Sequence, residues 1–255
     1  MMRDLQLACR SLGRSPGFAA VAILILGLGI GANAALFSAL QATVLGALPY
    51  PQPDRLAELD TTALRTGVAF NTSWLDYQDW ARQSRSFTGL AAYAWGPGNL
   101  VGGAEPVQIQ GAAATRNFFS VLGVQARAGR TFSATAHAPE AVISSGLWAR
   151  EFGSSAAVLG RQVVVAGLPV TVAGVLPPGA GLPNDVDVWI PADLDPDTAS
   201  RSGHNWAGVL GRLRPGVTLA AAQAEMSGIA ARLARQYPDS NRGEGIAVAP
   251  LQARL

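Results

Sequence analysis

The most constraining feature of this sequence is a long segment without any charged side chain. No charged residue occurs between Arg14 and Asp54, and most residues of 18–40 are apolar. A helix of about 23 residues, rising roughly 1.5 Å per residue, is ~34 Å long, whereas the hydrocarbon core of a bilayer is about 30 Å thick. The sequence therefore predicts a transmembrane helix over 17–45, followed by a domain, 46–255, that folds outside the membrane.

The same segment also has features of a cleaved secretory signal peptide. Arg3, Arg10 and Arg14 precede the apolar run, and Ala32-Asn33-Ala34 has the small-residue pattern of a cleavage site. However, the apolar run continues beyond that site as far as Leu48, whereas a signal peptide normally gives way to polar mature sequence. The membrane anchor is therefore favoured, and the signal peptide stays the alternative.

The charges on the two sides of the segment indicate how it is oriented. Arginines outnumber acidic residues before it, whereas Asp54 and Glu58 outweigh Arg55 after it. Cytoplasmic flanks of membrane helices are enriched in basic residues. We therefore expect residues 1–16 to form an amphipathic segment on the cytoplasmic face of the membrane and the bulk of the chain to lie on the opposite side.

Small residues recur at every fourth position within the predicted membrane helix. Gly27, Gly31 and Ala35 would share one face, where a second helix could approach closely, so they are the predicted helix-packing site. The run 27–32 also fits the G-x-G-x-x-A pattern of dinucleotide-binding loops. That assignment fails because no strand precedes it and the surrounding residues are uniformly apolar.

Composition excludes several classes of function. All 19 basic residues are arginine, and without lysine the chain can form neither a Walker A phosphate loop nor a Schiff base. Cys9 is the only cysteine, which excludes an intramolecular disulfide. The net charge is +2 and the arginines are scattered, so we expect no nucleic acid partner.

The region after the apolar segment predicts an α+β domain. Helices are expected from a Thr72 or Ser73 cap to Ser84, over 115–122, from a Ser144 cap to Glu151, and after a Thr218 cap. Strands are expected over 140–143, 161–165, 170–175, 187–190, 206–213 and 245–251, with 166–169 joining the second and third as a hairpin.

The domain lacks a recognisable catalytic set. His137 and His204 lie in separate loops, and no serine of the domain 46–255 occurs in a G-x-S-x-G pattern, so both histidines are predicted to be non-catalytic. An acidic cluster could suggest calcium, but prolines interrupt it and the calcium-loop spacing is missing. The cluster comprises Asp185, Asp187, Asp193, Asp195 and Asp197. The sequence therefore predicts a protein that is not an enzyme and holds no cofactor or metal.

An ordered set of motifs resembles the MacB-like, FtsX-type ABC transporter permeases, and most of all the duplicated orphan permeases of acidobacteria. The matching segments are 10–18, 26–33, 48–51, 117–124, 129–132, 145–148, 151–153 and 172–177. The resemblance implies the amino-terminal part of a permease subunit in a bacterial inner membrane, with one membrane helix and a periplasmic core domain that holds the bulk of the chain. In such permeases, further membrane helices follow the core domain.

The resemblance also implies a function and partners. The partners are a separate ATP-binding subunit, a second permease protomer and the lipid membrane, and the function is ATP-driven transport or mechanotransmission. A protein from a different class, a secreted periplasmic binding or adaptor protein with a cleaved signal peptide, stays the alternative.

Overall fold

The computed structural model describes residues 17, 20–21, 24–31, 33, 48–103, 105–133, 135, 138–183, 185–192, 199–206 and 208–253, in two compact units that divide after Ala47. The described residues of the first unit are helical, and their side chains are exposed. Among the described residues, no helix combines the length and the apolar character needed to cross a membrane. Residues 1–16, Cys9 and Ala35 lie outside the described part, so the anchor over 17–45 stays a prediction.

The second unit, Leu48–Leu255, is a mixed α/β domain, and the α+β class predicted from the sequence is confirmed. Its strands are β1 Leu56–Ala63, β2 Ala69–Phe70, β3 Phe87–Val101, β4 Val107–Ala114, β5 Ala128–Gly129, β6 Glu140–Ile143, β7 Gln162–Val165, β8 Leu168–Val175, β9 Val188–Pro191, β10 Gly208–Leu213 and β11 Glu244–Pro250. Its α-helices are α1 Trp74–Gln83, α2 Phe118–Leu122, α3 Ser145–Phe152, α4 Leu219–Gln236 and α5 Pro238–Asn241. Short 3-10 turns occupy Pro53–Arg55, Ala156–Val158 and Leu251–Ala253.

The long strand β3 belongs to both halves of the sheet. Its first half pairs with β10, which is followed by β1 and β11 in the order β11-β1-β10-β3. Its second half pairs with β4 and, at Leu100 and Val101, with β7. Because β4 also pairs with β9, β9 with β6, β6 with β8 and β8 with β7, these strands close into a ring. The domain therefore combines an open sheet with a small β-barrel.

Helices cover both faces of the open sheet, and valines fill the barrel. One face of the sheet packs against α1 and α4 through a cluster that includes Trp80, Met226 and Ile229. The other face packs against α2 through Phe118 and Leu122. The barrel interior is a third cluster of mostly β-branched residues, a composition that suits a strand surface buried on its inner side.

Local capping chemistry explains where the helices begin. The Ser73 hydroxyl accepts a hydrogen bond from the Asp76 N–H, Ser144 from Leu147, and Thr218 from Ala221. A side-chain acceptor at this position replaces a backbone acceptor that the first turn lacks. The three predicted helices with these caps are therefore confirmed.

Other sequence predictions need correction. The predicted loop over 166–169 is a two-residue turn, Ala166–Gly167, and Leu168 and Pro169 belong to β8. Both turn residues have positive φ, 50° and 84°, as a tight turn matched to strand twist requires. The helix predicted over 115–122 begins at Phe118, and the strand predicted from Trp206 begins at Gly208.

A glutamine side chain lies along the free edge of β11. The Gln223 amide nitrogen donates to the Ile246 carbonyl at 2.7 Å, and its amide oxygen accepts from the Val248 N–H at 2.7 Å. A side chain of α4 thereby occupies two main-chain groups on the side of β11 that faces away from β1.

Candidate functional site

The two ends of the folded domain lie side by side. β1 and β11 are antiparallel, with Ala57 opposite Pro250, so the segment that enters β1 and the turn that leaves β11 meet at one end of the sheet. Tyr50 and Leu251 are both buried in the same apolar cluster, against which Leu48 also packs. We call residues 48–56 together with 250–253 the paired ends.

Arg212, near the end of β10, binds the incoming segment to α2. Its Nη1 donates to the Pro51 carbonyl at 2.9 Å, Nε to the Val121 carbonyl at 2.7 Å, and Nη2 to the Leu122 carbonyl at 2.8 Å. Burial lowers the pKa of Arg212, and the charge of Arg55 lowers it further. A guanidinium nevertheless stays protonated at physiological pH and has enough donors for all three carbonyls.

Arg55 adds a second attachment at the same place. Its Nε and Nη2 donate to the Leu213 carbonyl at 2.8 and 2.6 Å, and its Nη1 donates to the Gln52 Oε1 at 2.5 Å. Two successive residues of β10, Arg212 and Leu213, therefore hold the incoming segment. The spacing of residues does not predict these contacts; the available signal was a charged residue within an otherwise apolar strand.

Tyr50 connects the incoming segment to the loop that precedes β9. Its hydroxyl donates to the Gly181 carbonyl at 3.1 Å, and burial raises the Tyr50 pKa to about 12, so the hydroxyl keeps its proton as a donor. A Cβ at Gly181 would lie 2.7 Å from the Cη2 atom of Trp189. The close packing of Gly181 on the indole therefore fixes the acceptor.

A cleft of about 440 Å³ opens beside Gly181. Its walls include Ser144 and Ser145 at the start of α3 and an ion pair in which Arg150 Nη2 lies 2.8 Å from Asp187 Oδ1. Asp187 also accepts a hydrogen bond from the Gln110 N–H. Of the acidic cluster, Asp187 is thus ion-paired and Asp185 is exposed at the same cleft, while Asp193, Asp195 and Asp197 lie outside the described residues.

His204 lies away from the paired ends. His204 Nε2 lies 3.5 Å from Glu244 Oε1, and its ring packs edge-on against Phe70. Burial raises the pKa of Glu244, the charge of His204 opposes this, and that of Asp76 adds to it. His137 lies outside the described residues, and no group of three or more histidine, cysteine or acidic side chains within the described part could hold a metal ion.

A buried ionic network, which the sequence analysis did not predict, joins α1 to the loop at Arg201. Arg201 Nη1 lies 2.6 Å from Asp76 Oδ1, and Nη2 lies 2.8 Å from Asp79 Oδ2. Asn241 donates to the same Asp76 oxygen at 2.8 Å, and the guanidinium lies 3.7 Å from the ring centre of Tyr237. Asp79 Oδ2 takes part through this ion pair alone, without a hydrogen bond. The network joins α1, α5 and the intervening loop.

The predicted helix-packing residues are described only in part. Gly27 and Gly31 are helical, and a Cβ added at either would meet no other atom within 4 Å. Ala35 lies outside the described residues. The packing role of this stripe stays a prediction.

Comparisons with known proteins agree with the fold. Residues 19–229 match the family model described as MacB-like periplasmic core domain. A domain of a permease protein from Porphyromonas gingivalis is 18% identical, with a TM-score of 0.62 over 79% of this chain and 92% of that chain. The periplasmic region of MacB from Actinobacillus actinomycetemcomitans is 13% identical, with a TM-score of 0.58 over 80% and 93% of the two chains.

A third solved structure comes from outside the Gram-negative bacteria. The extracellular domain of the noncanonic ABC-type transporter YknZ from Gram-positive bacteria is 16% identical, with a TM-score of 0.55 over 75% of this chain and 99% of that one. No curated protein sequence matches significantly. Because the family model covers most of the sequence and the fold agrees with it, the chain belongs to the MacB-like periplasmic core domain family of ABC transporter permeases.

Proposed function

We propose that this chain is the amino-terminal part of an ABC-transporter permease subunit and that it passes movement of the membrane segment to the periplasmic domain. The observation that carries the proposal is the arrangement of the paired ends, where Arg212 and Arg55 bind the incoming segment to β10 and α2. A segment held by several hydrogen bonds and a buried tyrosine moves with the domain rather than as a loose linker.

The proposal divides the chain into a cytoplasmic segment, 1–16, a membrane helix, 17–45, and a periplasmic domain, 46–255. The uncharged run before Asp54 supports the helix. The family match begins at residue 19 and so includes both sides of the candidate cleavage site at Ala34, which favours a retained anchor. The alternative is a secreted periplasmic binding or adaptor protein.

The proposal includes partners. A separate ATP-binding subunit would supply the energy, and a second permease protomer would pack against the small-residue face of Gly27, Gly31 and Ala35. Replacing the two glycines by leucine in a membrane dimerisation reporter tests that face, because leucine keeps the segment apolar and removes the close approach. We also propose that the chain is related to the duplicated orphan permeases of acidobacteria, because its ordered motifs resemble theirs.

The orientation can be tested with single thiols. In spheroplasts, a membrane-impermeant maleimide should leave Cys9 unmodified until the cells are lysed. In a Cys9→Ser background, Thr66→Cys, at an exposed turn between β1 and β2, should be modified without lysis. Labelling is read by mass shift of the purified chain.

The two variants control for each other, because the same reagent must fail at one site and succeed at the other. Labelling of Cys9 in intact spheroplasts would overturn the orientation. A mature protein that lacks Cys9 and begins near Ala35 would replace the anchor with the signal peptide.

A further inference from the structure

An apolar hollow lies on one face of the long strand β3, between the region covered by helices and the region closed into the barrel. Ala94, which lines it, also packs against the α1 and α4 cluster, and Val165, which lines it as well, belongs to the barrel interior. The hollow has a volume of about 280 Å³ and shares the lining residue Ile190 with a second hollow of about 220 Å³. The second is bordered by Leu168, Pro169 and Pro191.

The floor of the hollow lacks side chains where side chains would fit. Gly96 and Gly98 of β3 and Gly111 of β4 form part of it, and none of the three has a positive φ. A Cβ at Gly96 would meet no atom within 4 Å, and one at Gly111 would only touch the Gly96 carbonyl at 3.9 Å. Glycine weakens a strand interior and often marks a place where a ligand or another backbone comes close. Neither a turn nor crowding requires glycine at Gly96 or Gly111, so these residues keep the space open.

The lining carries no charge that is available to a ligand. Glu140 is the only charged residue among the described lining residues of the two hollows. Its carboxylate oxygens lie 3.1 Å from Arg116 Nη1 and 2.6 Å from Arg130 Nη1, and it also accepts a hydrogen bond from the Ser133 N–H. A charged group of a ligand would lose its hydration on entering the hollow and would find no counter-ion there. The free energy of binding such a group is therefore unfavourable.

We propose that the double hollow is a binding site for the alkyl part of a neutral small molecule. Ligand sites are typically concave, mostly apolar and found in the mouths of β-barrels, among other places. The volumes suit an alkyl chain or branched alkyl group rather than a folded partner. This inference goes beyond the proposed function, since neither periplasmic placement nor transmission of movement requires a ligand.

Photolabelling of the full chain in a mild detergent tests the site. The probe is 3-azioctanol, a neutral alkyl alcohol that carries a photoreactive diazirine. We expect saturable adducts in the peptides that contain 94–98, 111–113 and 165–170, and competition by octanol. Gly96→Val, which fills the floor with a residue that favours strands, should reduce these adducts by about tenfold while the melting temperature stays equal or rises.

Two leucines provide a matched control. Leu168 and Leu64 are both exposed, 55% and 68%, but only Leu168 borders the hollow. Leu168→Ser should weaken labelling, and Leu64→Ser should leave it unchanged. Adducts in the apolar segment 17–45 should persist in every variant and report that the reagent was delivered.

Three outcomes would overturn the proposal. The first is equal labelling of the hollow in wild type and Gly96→Val. The second is labelling that follows exposed apolar area, so that Leu64→Ser acts like Leu168→Ser. The third is a larger particle in sedimentation that Gly96→Val dissociates, which would assign the hollow to a second copy of the chain.

Discussion

Arg212 shows how a single side chain can bind two segments that are far from it in sequence, the segment that enters β1 and helix α2. Its guanidinium reaches the carbonyls of Pro51, Val121 and Leu122, which lie 161, 91 and 90 positions away. The planar fork of an arginine can bind several acceptors at fixed angles, whereas a lysine ammonium cannot reproduce that geometry. The identity of the residue therefore matters as much as its charge.

Replacing Arg212 by methionine should lower the free energy of unfolding by about 2–3 kcal/mol, because partly buried carbonyls lose a charged donor and receive none in return. Denaturant unfolding of the full chain in detergent, followed by tryptophan fluorescence, measures the change. Arg214→Met is the matched control, since Arg214 is exposed and its Nε donates to the Arg85 carbonyl. An equal loss in both variants would show that Arg212 has no special role.

These residue contacts could not be derived from the sequence. Arg55 and Arg212 stand among scattered arginines, and their partners are main-chain carbonyls, which leave no signature in residue type. By contrast, the prediction that the acidic cluster around Asp185 and Asp187 forms no calcium loop rests on local properties of the sequence, namely the proline positions and the missing spacing.

At the scale of elements, one carboxylate docks helix α4 onto the segment before β3. Glu225 Oε1 and Oε2 accept hydrogen bonds from the N–H groups of Arg85 and Ser86, both at 2.8 Å. Burial alone would raise the pKa of Glu225, but the hydrogen bonds from Ser86 and Arg85 and the charge of Arg85 outweigh it, so the pKa is lowered. The charged carboxylate is thus the form that the folded state favours.

This contact predicts a pH dependence of stability. A carboxyl group with a lowered pKa in the folded state stabilises above the unfolded pKa, and this contribution is lost as the pH falls through the folded value. Melting temperatures between about pH 7 and about pH 3 should therefore show a gap between wild type and Glu225→Gln that narrows toward acid. Glu105→Gln, at an exposed position, should show no such gap, and a gap of constant size for Glu225→Gln would contradict the expectation.

Elements with local end signals were predicted well, and elements without them were missed. Hydroxyl caps at Ser73, Ser144 and Thr218 located three helices. Strands β1, β3 and β4 were not predicted. In β3, for example, alanine, glycine and proline follow one another without a clear alternation, and its pairing with β10 and β4 defines the strand. The pairing of distant strands, rather than local propensity, determines such elements.

On the scale of the whole molecule, the paired ends bring the segment that enters β1 and the turn that leaves β11 to one end of the sheet. Under the proposed function, movement of the membrane segment would enter the domain there and reach β10 and β11 through their pairing with β1. The proposed function assigns ATP hydrolysis to a separate subunit, because these 255 residues contain no lysine for a Walker A loop.

A comparison of two chain lengths should show which part of a permease subunit binds the ATP-binding subunit. The 255-residue chain should neither hydrolyse ATP nor bind an ATP-binding subunit tightly. A longer form with the membrane helices that follow in such permeases should co-purify with the subunit and change its turnover. Pull-down and ATPase rates measure both, with the subunit alone as control. Robust ATP hydrolysis by the 255-residue chain, or tight binding through residues 1–16 alone, would contradict this assignment.

The Gln223 side chain on β11 has a consequence for how crowded copies of the protein behave. A free sheet edge is a template on which a neighbouring molecule can add its own strand, and growth of such contacts leads to aggregation. Here the amide engages one carbonyl and one N–H of the edge, and Pro250 at its end has no N–H to offer. Main-chain groups of Ile246 and Val248 are therefore already occupied, which hinders the addition of a strand from another copy when the protein is concentrated at one surface.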